Sequence, residues 1–146
     1  MTDSKTKSLK IWNIVFLVVL FLYPLRHIWL GVELTDSAYS AGNYRFSEQI
    51  NSMWFFSTFL ANVVGKALSS LPFGNTLMGL NAYTALFISI VAVAMYLFFV
   101  NVVKIPRWIA LLGEMLAISL CWCPTTILYN YMTYCYFNLA IIALYY

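Results

Sequence analysis

Long apolar runs separated by short polar interruptions make up this chain, and the runs do not alternate residue by residue. Residues 11–30, 76–103, 108–123 and 133–146 are nearly continuous in hydrophobic side chains. A helix needs about 20 such residues to cross a bilayer. Lipid offers no water to backbone groups, so only helices or a closed barrel can span it. Continuous rather than alternating runs select helices. The pattern predicts an all-α, polytopic helical membrane protein with about four transmembrane helices.

The interruptions set the organisation. Residues 1–10 are a polar tail carrying Lys5, Lys7 and Lys10, and residues 11–30 are the first span. Lysines before an apolar run resemble a signal peptide. This run is longer than a signal core, and no small-residue cleavage site closes it, so it reads as an uncleaved span. Pro24, Arg26 and His27 fall in its last turns, where an arginine can snorkel to the interface. Residues 31–75 form a loop. Within it, residues 47–71 place Ile50, Met53, Leu60, Val64, Ala67 and Leu71 at helical spacing, with Asn51, Thr58, Asn62, Lys66 and Ser69 on another face. That is an amphipathic helix lying in the membrane interface; a second, poor span is the alternative. Pro72-Phe73-Gly74-Asn75 breaks the helix. The second span, 76–103, is followed by the tight basic turn 104–107. The third span, 108–123, ends at Pro124, and a connector at 124–132 leads to a partial fourth span at 133–146.

Composition agrees with the pattern. Hydrophobic residues make up 63% and charged residues 9%, with mean hydropathy +0.82. A soluble domain carries about 25% charged residues, so too few remain here to cover a water-facing surface. The net charge of +3 comes from cations scattered at helix ends, which does not suit nucleic acid. Cys121, Cys123 and Cys135 lie in apolar surroundings and read as packing residues. Basic residues prefer the cytoplasmic side. Placing both the N-terminal lysines and the Lys104/Arg107 turn there requires one span before the 72–75 break. The N-terminus is then cytoplasmic, and residues 31–75 and 124–132 are extracytoplasmic. The setting is an integral membrane protein of the cell membrane. The last span is about 14 residues long, so the chain reads as the N-terminal part of a longer protein or as a truncated one.

Candidate chemistry centres on the polar stretch GVELTDSAYSAGNYRF, residues 31–46. Asp36 stands just outside the first span, where a carboxylate can meet a lipid-anchored substrate as a general base or can ligate a divalent metal. The plainer alternative is a helix-capping aspartate. Glu33 lies three residues earlier, on the same face if the turn is helical. Arg45 could neutralise a phosphate, and Tyr39 is an interfacial tyrosine beside it. Glu114 lies inside the third span, and an intramembrane carboxylate is a functional candidate by default. His27 is the only histidine, which excludes a histidine metal cluster within the chain. Gly-rich phosphate loops, nucleophile elbows and H-E-x-x-H are absent.

The order of these features resembles the N-terminal part of the GT-C superfamily of polytopic glycosyltransferases. T-D-S-A-Y-S-A-G-N-Y, residues 35–44, looks like the acidic position of that family's first outer loop. Residues 47–71 look like its juxtamembrane helices. C-P-T-T-I-L-Y-N-Y-M-T-Y, residues 123–134, looks like its proline-led stretch before the next helix pair. The resemblance implies a membrane-embedded module acting on a polyprenyl-phosphate-type sugar donor and an extracytoplasmic acceptor, with Asp36 as the catalytic carboxylate and Glu33, Arg45 and Tyr39 contacting substrate. Many members have adjacent acidic residues in this loop, whereas here Asp36 stands between Thr35 and Ser37. Members also carry further spans and later loops that bind the donor, so this chain alone is expected to be inactive. A different class remains open: a small non-catalytic helical membrane protein, such as a transporter subunit or assembly factor, in which Glu114, Ala110, Gly113 and Ala117 form a helix–helix interface.

Overall fold

The computed structural model of the protein describes residues 2–29, 36–46, 48, 58–120 and 129–146. Among these the regular structure is entirely helical. Six α-helices follow one another: α1 (Thr2–Leu22), α2 (Asp36–Arg45), α3 (Phe59–Ser69), α4 (Leu77–Phe98), α5 (Arg107–Leu120) and α6 (Tyr129–Tyr145). A 3₁₀ turn, Pro24–His27, follows α1, and a π-helical turn, Phe99–Val103, extends α4.

Each boundary has a local cause. Pro24 lacks an N–H and cannot continue α1, so the first predicted span is a helix to Leu22 and then a tighter turn. At the other end α1 begins at Thr2, so residues 2–10 are helical rather than a separate tail. The hydroxyls of Ser69 and Ser70 donate to the Lys66 carbonyl at 2.9 and 2.8 Å and close α3. In the following turn a side chain at Gly74 would collide with the Leu68 carbonyl oxygen, 2.1 Å from a built Cβ, so glycine is needed there. Thr76 caps α4 by accepting from the Gly79 amide at 3.1 Å. Lys104 ends the π turn in the left-handed conformation, φ 65°.

Helix α4 is the core of the protein. It packs against α1, α3, α5 and α6. Together with the π turn it covers Leu77–Val103, 27 residues, and is the one helix among the described residues long and apolar enough to cross a membrane. The described parts of α5 and α6, of 14 and 17 residues, measure roughly 21 and 25 Å at 1.5 Å per residue. Of the about four predicted transmembrane helices, the fourth of them partial, one is by itself long and apolar enough among the described residues, and α1, α5 and α6 pack around it. Helix α6 starts four residues earlier than the predicted span, because Tyr131 and Met132 of the expected connector are buried in the core.

Three hydrogen bonds align α1 with α4. The Tyr96 hydroxyl donates to Asn13 Oδ1 at 2.9 Å, the Ser89 hydroxyl to the Phe21 carbonyl at 2.7 Å, and the Asn81 amide nitrogen to the Ile28 carbonyl at 3.2 Å. The two positions in each pair add to 109 or 110, as an antiparallel register requires. The Phe98 and Tyr145 rings meet edge to face at 5.3 Å, so α4 and α6 end at the same end of the bundle. Tyr23 and Ser119 share a hydrogen bond between the last turns of α1 and α5. Helices α1 and α5 therefore run one way, and α4 and α6 the other. Lys10, Lys104 and Arg107 fall at one end, as the charge pattern predicts, and the loop carrying α2 and α3 at the opposite end.

The core is apolar, with Leu20, Ile88, Val91 and Tyr96 at its centre, but it also holds polar side chains, and large apolar residues lie on the outside. Asn62, Asn81, Thr84, Ser89, Glu114 and Asn138 are buried, while Ile14, Val18, Leu22, Ile90, Leu112, Leu116 and Phe137 face outward. Polar groups inside a bundle can satisfy one another, whereas apolar faces of this extent are unusual on soluble monomers.

Candidate functional site

The polar stretch that opens the first loop forms α2. Asp36 is its first residue, the position where a negative charge is favoured by the helix dipole. Glu33 and the side chain of Asp36 lie outside the described residues. Tyr39 follows Asp36 by three positions on the same helical face and is 49% exposed. Arg45 is nine positions on, which at 100° per residue puts it on the opposite face and about 13 Å along the axis. It is exposed, with its guanidinium carbon 5.9 Å from the centre of the Phe46 ring. Helix geometry thus brings Asp36 and Tyr39 to one face and separates both from Arg45. Among the described residues no group of three or more His, Cys, Asp or Glu side chains could hold a metal ion.

What fixes α2 in place is Tyr44. Its side chain is buried, and its ring lies against Gly65 of α3: a Cβ built at Gly65 would sit 2.5 Å from Tyr44 Cε1. A residue without a side chain is the only one that permits that approach. Burial pushes the Tyr44 phenol well above its ordinary value, and a hydrogen bond with Ser40 opposes the shift in part. Neither Tyr44 nor Gly65 stands out in the sequence. The available signal is the small-residue spacing Ala61-x-x-x-Gly65-x-x-x-Ser69, which lets a neighbour approach closely.

Helix α3 covers the second half of the expected interfacial helix. Its buried residues are Ala61, Asn62 and Gly65, with Asn62 at 7% exposure, while Leu60 and Val63 are about half exposed at 52% and 50%. The Asn62 amide nitrogen donates to Thr58 Oγ1 at 2.9 Å. Ala61, Asn62 and Gly65 therefore pack inward, with Val64 and Leu68 partly buried against the core, while Leu60, Val63 and Lys66 point out. The observed inward face cuts across the two predicted ones: Asn62 and Val64 turn inward, Lys66 and Leu60 outward. The physical reason is that Tyr44 requires a flat, small surface, which only the Ala61–Gly65 face offers. Of the predicted helix 47–71, residues 47 and 49–57 lie outside the described residues.

Glu114 is a second polar centre. Ala110, Glu114 and Ile118 form the inward stripe of α5, and Glu114 is 4% exposed. The Tyr134 hydroxyl of α6 donates to Glu114 Oε2. Asn138, one turn beyond Tyr134, is also buried, and its amide nitrogen has no hydrogen-bond partner among the described residues. The Glu114–Tyr134 bond ties α5 to α6 within the chain. Gly113 faces away, with open space around a built Cβ, so the stripe Ala110–Glu114–Ile118 rather than Gly113 makes the internal interface.

Helices with apolar outward faces, buried polar groups between them and a helical pair across one end define an all-α bundle with one helix long and apolar enough to cross a membrane. No protein-family model matches the chain, and neither a curated protein nor a solved structure matches it.

Proposed function

We propose that this chain is the N-terminal module of a GT-C-like glycosyltransferase. In this reading α1, α4, α5 and α6 cross the cell membrane, the N-terminus is cytoplasmic, and α2 and α3 lie on the extracytoplasmic side. Asp36 removes the proton from an acceptor hydroxyl. The acceptor oxygen then attacks the anomeric carbon of a polyprenyl-phosphate sugar, and the glycosyl C–O bond breaks with its electron pair leaving on the phosphate. Asp36 and Tyr39 share the face of α2 that would meet substrate; Glu33 precedes them, and Arg45 serves headgroups on the other face. The remaining walls of the donor site are supplied from outside this chain, so the module is inactive alone.

The observation that carries the reading is the α2–α3 pair. A helix headed by Asp36 is the next α-helix described after the first apolar one and is seated on a second short helix, at the end of the bundle away from the basic turn. The test is Asp36→Asn, assayed in native membranes with a polyprenyl-phosphate sugar donor. Sugar transfer is lost while the amount of folded protein stays the same; transfer at the wild-type rate overturns the assignment.

The Glu114–Tyr134 bond favours a second reading, a small non-catalytic helical membrane protein acting as a transporter subunit or assembly factor. Here the chain satisfies its own intramembrane carboxyl group and needs no further helix to do so. Purified chain that is monodisperse and stable in detergent supports this reading. Aggregation that is relieved only by further membrane segments excludes it.

A further inference from the structure

Cations are concentrated at one end of the bundle. The chain holds eight Lys and Arg residues. Lys104 and Arg107 lie in the turn between the π-helical end of α4 and α5, with Lys10 on α1. Continuing the antiparallel register set by Asn13–Tyr96 places Lys5 of α1 level with Lys104, and Lys7 lies between Lys5 and Lys10. Five of the eight cations therefore gather at this end, against Asp3 as the one acidic residue on the same segments. Among the described residues the opposite end has Arg26, Arg45 and Lys66 against Asp36 and Glu48.

Two further features point to headgroups. Lys104 occupies a left-handed backbone position, φ 65°, where helix ends ordinarily carry glycine. A side chain there is disfavoured relative to the right-handed region, and what it retains is an ammonium group in the turn. Around it Trp12 and Trp108 are exposed; tryptophans settle at headgroup level.

We propose that the Lys104–Arg107 turn and the first turns of α1 together form a binding surface for anionic phospholipid headgroups. The proposal rests on the membrane-spanning reading above, but not on glycosyl transfer. Its occupant is set by charge complementarity: a cationic, aromatic-rimmed surface continuous with apolar helix faces suits a phosphate with acyl chains attached.

The full chain, purified in neutral detergent, is titrated with phosphatidylglycerol and with phosphatidylcholine of the same acyl chains, and bound lipids are counted by native mass spectrometry. The wild type retains phosphatidylglycerol preferentially, and added salt weakens the preference. A basic residue near an anionic surface is worth about fivefold in affinity, so Lys104→Gln with Arg107→Gln weakens retention on the order of twentyfold. Lys10→Gln, on the exposed surface of α1, weakens it about fivefold and guards against a misfolded turn. Lys66→Gln, at the other end, leaves it unchanged. Equal retention of the two lipids, or an undiminished preference in both the double variant and Lys10→Gln, overturns the proposal. Displacement of phosphatidylglycerol by millimolar inorganic phosphate overturns the lipid assignment. A chain that does not partition into vesicles of these lipids overturns the membrane reading itself, and this proposal with it.

Discussion

The ring of Tyr44 lies directly on the backbone of Gly65, closer than any side chain at position 65 would permit. This contact seats α2, and with it Asp36 and Tyr39, on α3. Gly65→Ala forces the Tyr44 ring or the whole of α2 to move. Overpacking of this kind costs about 1–3 kcal/mol, against a helix-propensity gain of up to about 1 kcal/mol for alanine over glycine. Thermal unfolding in detergent should show net destabilisation. Combining Gly65→Ala with Tyr44→Ala removes the clash and should cost less than the two single changes added together; strict additivity would show that the ring and the glycine are not in contact.

Burial of Tyr44 also sets a pH response. Its phenol titrates above the ordinary value of about 10 in the folded chain. Below that pH both folded and unfolded chains carry the proton, and Tyr44 contributes no pH dependence. Above it the unfolded chain releases the proton first, so stability falls as pH rises. Alkaline unfolding followed by circular dichroism should show this slope in the wild type and a shallower one in Tyr44→Phe. Identical slopes would place Tyr44 in water.

Across the α1–α4 seam, Asn13 and Tyr96 are coupled by a hydrogen bond of 2.9 Å. Polar pairs between membrane helices contribute about 0.6 kcal/mol on average, with a maximum near 1.7 kcal/mol. A double-mutant cycle with Asn13→Ala and Tyr96→Phe should return a coupling energy in that range. A coupling of zero would show that the antiparallel register is held by packing alone.

Glu114 and Tyr134 respond differently to substitution. Glu114→Gln keeps a carbonyl oxygen for the Tyr134 hydroxyl and should change stability by less than about 1 kcal/mol. Tyr134→Phe leaves the buried carboxyl group without this donor, a loss of about 1–3 kcal/mol. Chemical denaturation of both variants gives the order. Equal effects would indicate that the charge on residue 114, rather than its hydrogen bond, decides stability.

Much of the local structure is legible in the residues themselves. Continuous apolar runs mark α1, α4, α5 and α6, because a helix that buries or faces apolar surroundings on all sides has no polar face to show. Pro24, the Pro72–Thr76 turn and Pro106 punctuate them, since proline and glycine constrain backbone dihedrals without reference to the rest of the chain. Gathering of cations at one end is legible too, because charge adds along a sequence. Partner choice is not. Which face of α3 turns inward depends on Tyr44, 21 residues before Gly65, and on the shape of its ring rather than on hydropathy. Glu114 reads as an intramembrane carboxyl group from sequence alone, yet its partner Tyr134 has the look of an interfacial anchor. Separation of Arg45 from Asp36 follows only once residues 36–45 are known to be one helix. Hydropathy is a property of single residues and sets where helices lie along the chain. Contact geometry is a property of pairs, and only the tertiary structure decides it.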